Sequence, residues 1–247
     1  MSHVLFVLIP GAGGHAGYWS ELVPQLESRG YDAVAVDIPE DDPALGLPEY
    51  ADAVETAIDH ALPRGVQAGD DGVAIVLVAQ SMGGFTAPMV RRPVDGIVLL
   101  NAMIPLPGET PGDWWEATGQ PEAMRASDAA LGYAGDGDPE HYFLHDLPAD
   151  IRRRLLEGGD RAPSETPFAQ RCAFEQWPDA PLLVLAGADD RMFPAGFQEQ
   201  VARERLGLPV EILPGGHLLA LSQPVALADR LAEFASSLRP APPAPAP

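Results

Sequence analysis

The chain has 247 residues with 46% hydrophobic content, enough to build a real core for one large domain with an insertion or for two small domains. Its formal net charge is −21 and all 15 basic residues are Arg, a balance that argues against nucleic acid and anionic membranes as partners. The single cysteine, Cys172, excludes an internal disulfide and is expected to be a partly buried thiol; no apolar run reaches membrane-spanning length, so a cytoplasmic protein is expected.

Residues 4–9, from Val4 to Ile9, form an apolar run of strand length. No basic stretch precedes it and no cleavage site follows, so it reads as a first strand and not as a signal core. Next comes Pro10-Gly11-Ala12-Gly13-Gly14-His15-Ala16-Gly17-Tyr18-Trp19. A glycine-rich loop directly after a strand can turn a backbone N–H toward a developing oxyanion, and position alone selects Ala12 as that donor. A phosphate-cradling use is disfavoured, because neither a Gly-Lys-Ser/Thr ending nor Gly-x-Gly-x-x-Gly spacing is present. Tyr18, Trp19, Leu22, Val23 and Leu26 share a helical face, and a strand follows at 32–37. Tyr50, Val54, Ala57, Ile58 and Ala61 mark the next helix, with His60 near its end, where a cation suits the dipole.

The apolar run 73–79 leads straight into Ala79-Gln80-Ser81-Met82-Gly83-Gly84. A buried strand followed by small-x-Ser-x-Gly-Gly places a serine on a sharp, strained turn with its hydroxyl above the sheet. The N–H of the following residue, Met82, is the natural second oxyanion donor. After a strand at 95–101, residues 104–179 contain no buried-strand pattern and are rich in Pro, Gly and aromatics, with helical stretches predicted at 121–131 and 148–157. This interval reads as an inserted cap over the carboxyl ends of the strands, where ligands bind in such sheets. Strand 181–187 ends in Gly187-Ala188-Asp189-Asp190, and strand 209–213 ends in Pro214-Gly215-Gly216-His217. An acid in the first loop can orient the imidazole in the second. Pro224 opens a last helix carrying Val225, Leu227, Leu231 and Phe234, and the tail from Arg239 to Pro247 is expected to be a mobile, polyproline-II-like extension.

Strands buried on both faces, alternating with helices, predict a mostly parallel six-stranded sheet covered on both sides. The organisation is a first core part at 1–103, a cap at 104–179, a second core part at 180–238 and the tail at 239–247. The chemistry-bearing residues occur in the order Ser81, Asp190, His217, as nucleophile, acid and histidine. Gly11, His15, Met103, Trp114 and Trp115 are candidate pocket residues, although His15 reads equally as a polar loop residue and the two tryptophans as cap core. His141 and His145 are four apart but follow no known metal spacing, so no metal and no cofactor are expected. Arg152-Arg153-Arg154 reads as a solvated helix face.

Taken together, these motifs resemble those of α/β-hydrolase-fold serine hydrolases over residues 4 to about 237, with a looser match in the cap. The short N-terminus is similar to the branch of plant methyl esterases, hydroxynitrile lyases and bacterial pyrethroid-type esterases. In that pattern the acid stands three residues after the strand-ending glycine and four before a proline, which selects Asp190 over Asp189 through Gly187 and Pro194. Two positions depart from it: Ala79 stands where glycine is usual, and Pro10 where histidine is usual. The resemblance implies a serine esterase working through an acyl-enzyme; the aromatic, Met-bearing composition of the cap suggests a small or medium, mostly apolar ester, and a monomer or homodimer without nucleic-acid or membrane partners is expected. A thioesterase, a carbon–carbon hydrolase and a non-catalytic ligand receptor share the same residues as alternatives. The absence of any Lys speaks against a hydroxynitrile lyase.

Overall fold

A computed structural model describes residues 3–40, 42–62, 72–134, 137–158 and 164–238. The tail at 239–247 lies outside the described residues. Six strands form one sheet: β1 (His3–Ile9), β2 (Asp32–Ala35), β3 (Val73–Gln80), β4 (Gly96–Leu100), β5 (Leu182–Gly187) and β6 (Val210–Leu213). All neighbours are parallel, in the order β2-β1-β3-β4-β5-β6. Each strand stands at its predicted place, and β2 stops at Ala35, earlier than expected.

The α-helices are α1 (Leu22–Ser28), α2 (Leu47–Ala61), α3 (Gly83–Thr86), α4 (Pro111–Thr118), α5 (Gln120–Ala130), α6 (Ala149–Gly158), α7 (Thr166–Ala169), α8 (Ala195–Leu206), α9 (Leu219–Ser222) and α10 (Pro224–Ser237). Among the described residues, no helix is long and apolar enough to cross a membrane.

Parallel strands need crossover connections, and these put helices on both faces of the sheet. The central strands are therefore apolar along nearly their whole length, with His3 and Gln80 at the ends of β1 and β3. Leu5, Val7 and Ile9 of β1 join one core cluster with residues of α2, α3 and α8, while Val4, Phe6 and Leu8 join a second with α1, α9 and α10. The alternation continues through Leu77 and Leu99 on the first side and Val78 and Val98 on the second. Each such side chain stabilises the fold by about 1.5–3 kcal/mol before the entropy of ordering is counted.

The helical face predicted from Tyr18 to Leu26 is made of two pieces, a 3-10 turn at Ala16–Trp19 and then α1. His15 causes the break. Its Nδ1 accepts from the Gly17 N–H at 3.0 Å and caps the turn, while the Ser20 N–H closes it on the Gly17 carbonyl. Tyr18 and Trp19 still bury in the same cluster as Leu22 and Leu26.

Between β4 and β5 lie α4 to α7 and a π-helical turn at Glu140–Leu144. Helices α5 and α6 stand close to their predicted spans; α4 was not anticipated. Thr110 Oγ1 accepts from the Asp113 N–H at 3.0 Å and Pro111 follows it, a polar cap with proline at the first helical position. Gly119, at φ 73°, ends α4 and turns the chain into α5. Trp114 is buried, donates from Nε1 to the Ile104 carbonyl and packs against Phe193 and Phe197. Cys172 is fully buried, a correction to the partly buried thiol expected, with its Sγ on the Phe85 carbonyl. Burial pushes its thiol pKa up to about 12.

Arg205 of α8 fastens the start of this segment to the core. It donates to the Glu109 carboxylate through both terminal nitrogens and to the Ile104 carbonyl at 2.7 Å. The two side chains are only 8% and 10% exposed. Removing one partner of such a pair strands the other charge away from water. Glu109→Ala is thus expected to lower the unfolding free energy by about 3 kcal/mol, read as a lower urea midpoint at unchanged slope.

Candidate active site

Because the strands are parallel, the loops after β1, β3, β5 and β6 all leave the same edge of the sheet. These loops carry Ala12, Ser81, Asp190 and His217 respectively.

Ser81 follows β3 at φ 51°. Among the described residues only Ser81 and Asn101 are non-glycine residues with positive φ. Such a conformation is strained for an L-residue and persists only where the surroundings hold it. Here the Ser81 N–H donates to the Leu100 carbonyl at 3.3 Å, while the Gly84 and Met103 N–H groups donate to the Ser81 carbonyl at 3.1 and 2.9 Å. The two glycines are required sterically. A Cβ on Gly83 would stand 2.8 Å from the Pro10 carbonyl oxygen, and one on Gly84 would be driven into the Met103 carbonyl. Ala79 is fully buried in the core beside Leu77, so its methyl is accommodated.

The loop after β1 is held from behind by side chains. Gly11 N–H donates to Gln80 Oε1 at 3.0 Å, Gly13 N–H donates to the buried Glu40 carboxylate, and Ala16 N–H donates to Asp37 Oδ1 at 2.9 Å. Pro10 offers no polar side chain, and Gln80 and Glu40 bind the loop in its place. A Cβ on Gly11 would lie 2.5 Å from Ser81 Cβ, so the loop runs against the serine itself. Ala12 is exposed and Met82 is buried next to Ser81. Neither backbone N–H donates among the turn and loop hydrogen bonds of the described residues.

Asp190 is buried and Asp189 is exposed. Asp190 Oδ1 accepts from the Met192 and Phe193 N–H groups at 2.9 and 2.8 Å. Its Oδ2 lies 2.8 Å from His217 Nδ1. An ionised carboxylate only accepts, so Nδ1 is the donor, and the tautomer this selects in a neutral imidazole has its lone pair at Nε2. Phe143 and Phe193 flank the imidazole, with ring centroids 5.3 and 5.1 Å away in edge-on arrangements. The His217 backbone is tied to the serine turn as well, since Gln80 Nε2 lies 3.5 Å from the His217 carbonyl. The approach of the histidine loop to β5 depends on Gly187, where a Cβ would collide with the Gly215 and Gly216 carbonyls.

The remaining predicted residues are placed differently from one another. Gly11 and Met103 touch Ser81 through the contacts described above. His15 is engaged in capping its turn. Trp114 is core, and Trp115 is half-buried against Phe193 at 5.8 Å. His141 and His145 serve separate sites. His141 Nε2 meets Asp128 Oδ1 at 3.2 Å, accepts from Arg191 at Nδ1 and stacks on Tyr133. His145, with its pKa lowered by burial and by Arg191, lines a cavity of about 290 Å³ with Asp146, Asp189 and Arg191. That lining includes Asp190 and neither Ser81 nor His217. Among the described residues no three or more His, Cys, Asp or Glu side chains are grouped to hold a metal ion. Arg152 and Arg154 pair with Glu140 and Glu21, so the predicted solvated face also ties α6 to its neighbours.

Sequence reasoning missed Gln80, Asn101 and Gln198 as parts of the site. A signal existed for Asn101, a polar residue directly after the apolar run of β4, in the same relation to its strand as Ser81.

A family model described as "Alpha/beta hydrolase family" matches residues 6–230. A pyrethroid hydrolase of Sphingobium wenxiniae is 27% identical over 255 aligned positions, covering 94% of this chain and 87% of that protein. The crystal structure of a pyrethroid hydrolase from Sphingobium faniae superposes with a TM-score of 0.69 at 21% identity, over 96% of this chain and 98% of the other. Polyneuridine aldehyde esterase superposes with a TM-score of 0.74 at 19% identity, over 95% of this chain and all of the other (100%).

Proposed function

The chain belongs to the alpha/beta hydrolase family, and on that premise we propose that it is a serine esterase that cleaves a small or medium, mostly apolar carboxylic ester through an acyl-enzyme. The observation that carries this reading is the buried Asp190–His217 pair, placed at the sheet edge where the strained Ser81 turn leaves β3. Ser81 Oγ attacks the ester carbonyl while His217 Nε2 takes its proton. The N–H groups of Ala12 and Met82 hold the oxyanion as the tetrahedral intermediate forms. His217 then protonates the leaving alcohol and later activates the water that releases the acid. Helices α4 to α7 act as a cap over this edge. The apolar preference is supported by Phe143 and Phe193, edge-on to the imidazole, and by Trp115 against Phe193; the hydrolytic reading is supported by the names pyrethroid hydrolase and polyneuridine aldehyde esterase.

A fluorophosphonate probe on the intact protein tests the nucleophile. One equivalent adds to the peptide containing Ser81, and none adds to Ser81→Ala. Labelling that persists in Ser81→Ala rejects the assignment. A p-nitrophenyl ester series gives kcat/KM with an optimum in acyl length, whereas rates that do not vary with length speak against a shaped acyl site.

A further inference from the structure

The carbonyl of His217 receives two side-chain amides. Asn101 Nδ2 donates to it at 2.9 Å and reaches the Gly216 carbonyl at 3.1 Å, and Gln80 Nε2 approaches it at 3.5 Å. The opposite end of each amide holds another loop of the site. Gln80 Oε1 accepts from Gly11 N–H, in the loop after β1. Asn101 Oδ1 accepts from Gly187 N–H at 2.7 Å, at the end of the strand that leads to Asp190. Gln198 extends the second arm, with its Nε2 3.3 Å from Asn101 Oδ1, 3.4 Å from Asp190 Oδ2 and 2.7 Å from the Phe193 carbonyl.

We infer that Gln80 and Asn101 are positioning residues, a pair of buried amides that together set the spacing of the oxyanion loop, the acid loop and the histidine loop. The inference rests on the esterase reading of the site. Chemistry explains the residue type. A primary amide is neutral and offers an acceptor and a donor in fixed relation, so it can take a backbone N–H at one end and give to a carbonyl at the other. A carboxylate would face the His217 carbonyl with like partial charge; an apolar side chain at 80 would leave the Gly11 N–H unmatched and the His217 carbonyl to Asn101 alone, and one at 101 would leave the Gly187 N–H unmatched. Asn101 also sits at φ 44°, a region that asparagine enters more readily than most residues. Gln80 is next to the nucleophile in sequence, so its side chain couples the turn that presents Ser81 to the loop that presents His217. Neither amide touches the reacting atoms. Their action is on geometry, and reacting groups misplaced by about 1 Å lose about a hundredfold in rate.

The test uses the full chain with Gln80→Leu and Gln80→Glu, read by p-nitrophenyl ester kinetics, by the rate of fluorophosphonate labelling and by amide hydrogen exchange. Gln80→Leu is expected to lower kcat and the labelling rate by about a hundredfold with KM near the parent value. Exchange rises in the peptides spanning 10–17 and 214–222 and not in the strands. Gln80→Glu keeps an acceptor for Gly11 and lacks the donor, so it restores protection at 10–17 and leaves 214–222 loosened, with an intermediate kcat. A folded Gln80→Leu that turns over and labels like the parent overturns the inference. So does exchange raised evenly along the chain, which marks a purely structural role. If Gln80→Leu does not fold, Gln80→Glu carries the test, and parental kcat with parental exchange in that variant overturns the clamp. A parent protein that takes up no probe rejects the esterase reading and the positioning role with it. A labelled parent with an unaffected variant rejects the positioning role alone.

Discussion

Ser81→Ala is expected to lower kcat for ester hydrolysis by about a millionfold, His217→Ala by about as much, and the double variant no further. In the proposed mechanism the two side chains act as one device. A serine hydroxyl at neutral pH is a poor nucleophile until a base takes its proton, and an imidazole at this site has no attacking atom to activate once the hydroxyl is gone. The Asp190 contact at Nδ1 leaves His217 Nε2 to face a substrate, and the Ser81 turn, at φ 51°, leaves β3 at the same edge of the sheet. The backbone donors survive both substitutions, so a residual acceleration of about 10³–10⁴ over water remains. Release of p-nitrophenol over hours, on preparations shown to be free of probe-reactive contaminant, measures all three. A double variant slower than either single by another large factor would mean that the residues act independently.

Asp190→Asn is expected to lower kcat by about ten-thousandfold, and Asp189→Asn to leave it near the parent value. Asp190 keeps one oxygen for two backbone N–H groups and turns the other to His217 Nδ1. In the asparagine variant the side-chain oxygen stays with the backbone donors, which places the NH₂ against the imidazole. Nδ1 must then accept, the proton moves to Nε2, and the ring loses its capacity as a base toward Ser81. Asp189 is exposed and its backbone N–H bonds to the Gly215 carbonyl, so its side chain has no role in the ring's tautomer. Steady-state kinetics on both variants checks the assignment. Full activity in Asp190→Asn with loss in Asp189→Asn would move the acid to the neighbouring residue.

The fold was legible because its central strands are buried on two faces. Runs such as Val4 to Ile9 and Val73 to Ala79 carry the double burial in their composition, and a parallel sheet is the arrangement that produces it. Of the candidate site, the order of Ser81, Asp190 and His217 after three strands was legible, and the contact between Asp190 and His217 follows that reading. The site was not legible where the work falls to backbone and amide contacts. Gln80 and Asn101 matter through bonds to the loops at Gly11, Gly187 and His217, residues far apart in sequence, and no local pattern encodes such contacts. His15 shows the same limit at short range. A capping bond to Gly17 divides a continuous apolar face into a turn and a helix. The segment between β4 and β5 was least readable, because α4 and the π-helical turn are short and their aromatics are shared with a core built mostly by other segments.

Strand β6 closes the sheet on one flank and has no further strand beside it among the described residues. Such a rim is a template on which another chain can add, and Ile212 contributes exposed apolar surface there. Glu211 sits between Val210 and Ile212 and is held by Arg230, which keeps its carboxyl below the usual ionisation range. Its charge therefore persists below the pH at which a glutamate without such a partner is neutralised. The bond between Arg230 and Glu211 thus keeps a charged pair on an open strand edge, the kind of residue that discourages another strand from adding there.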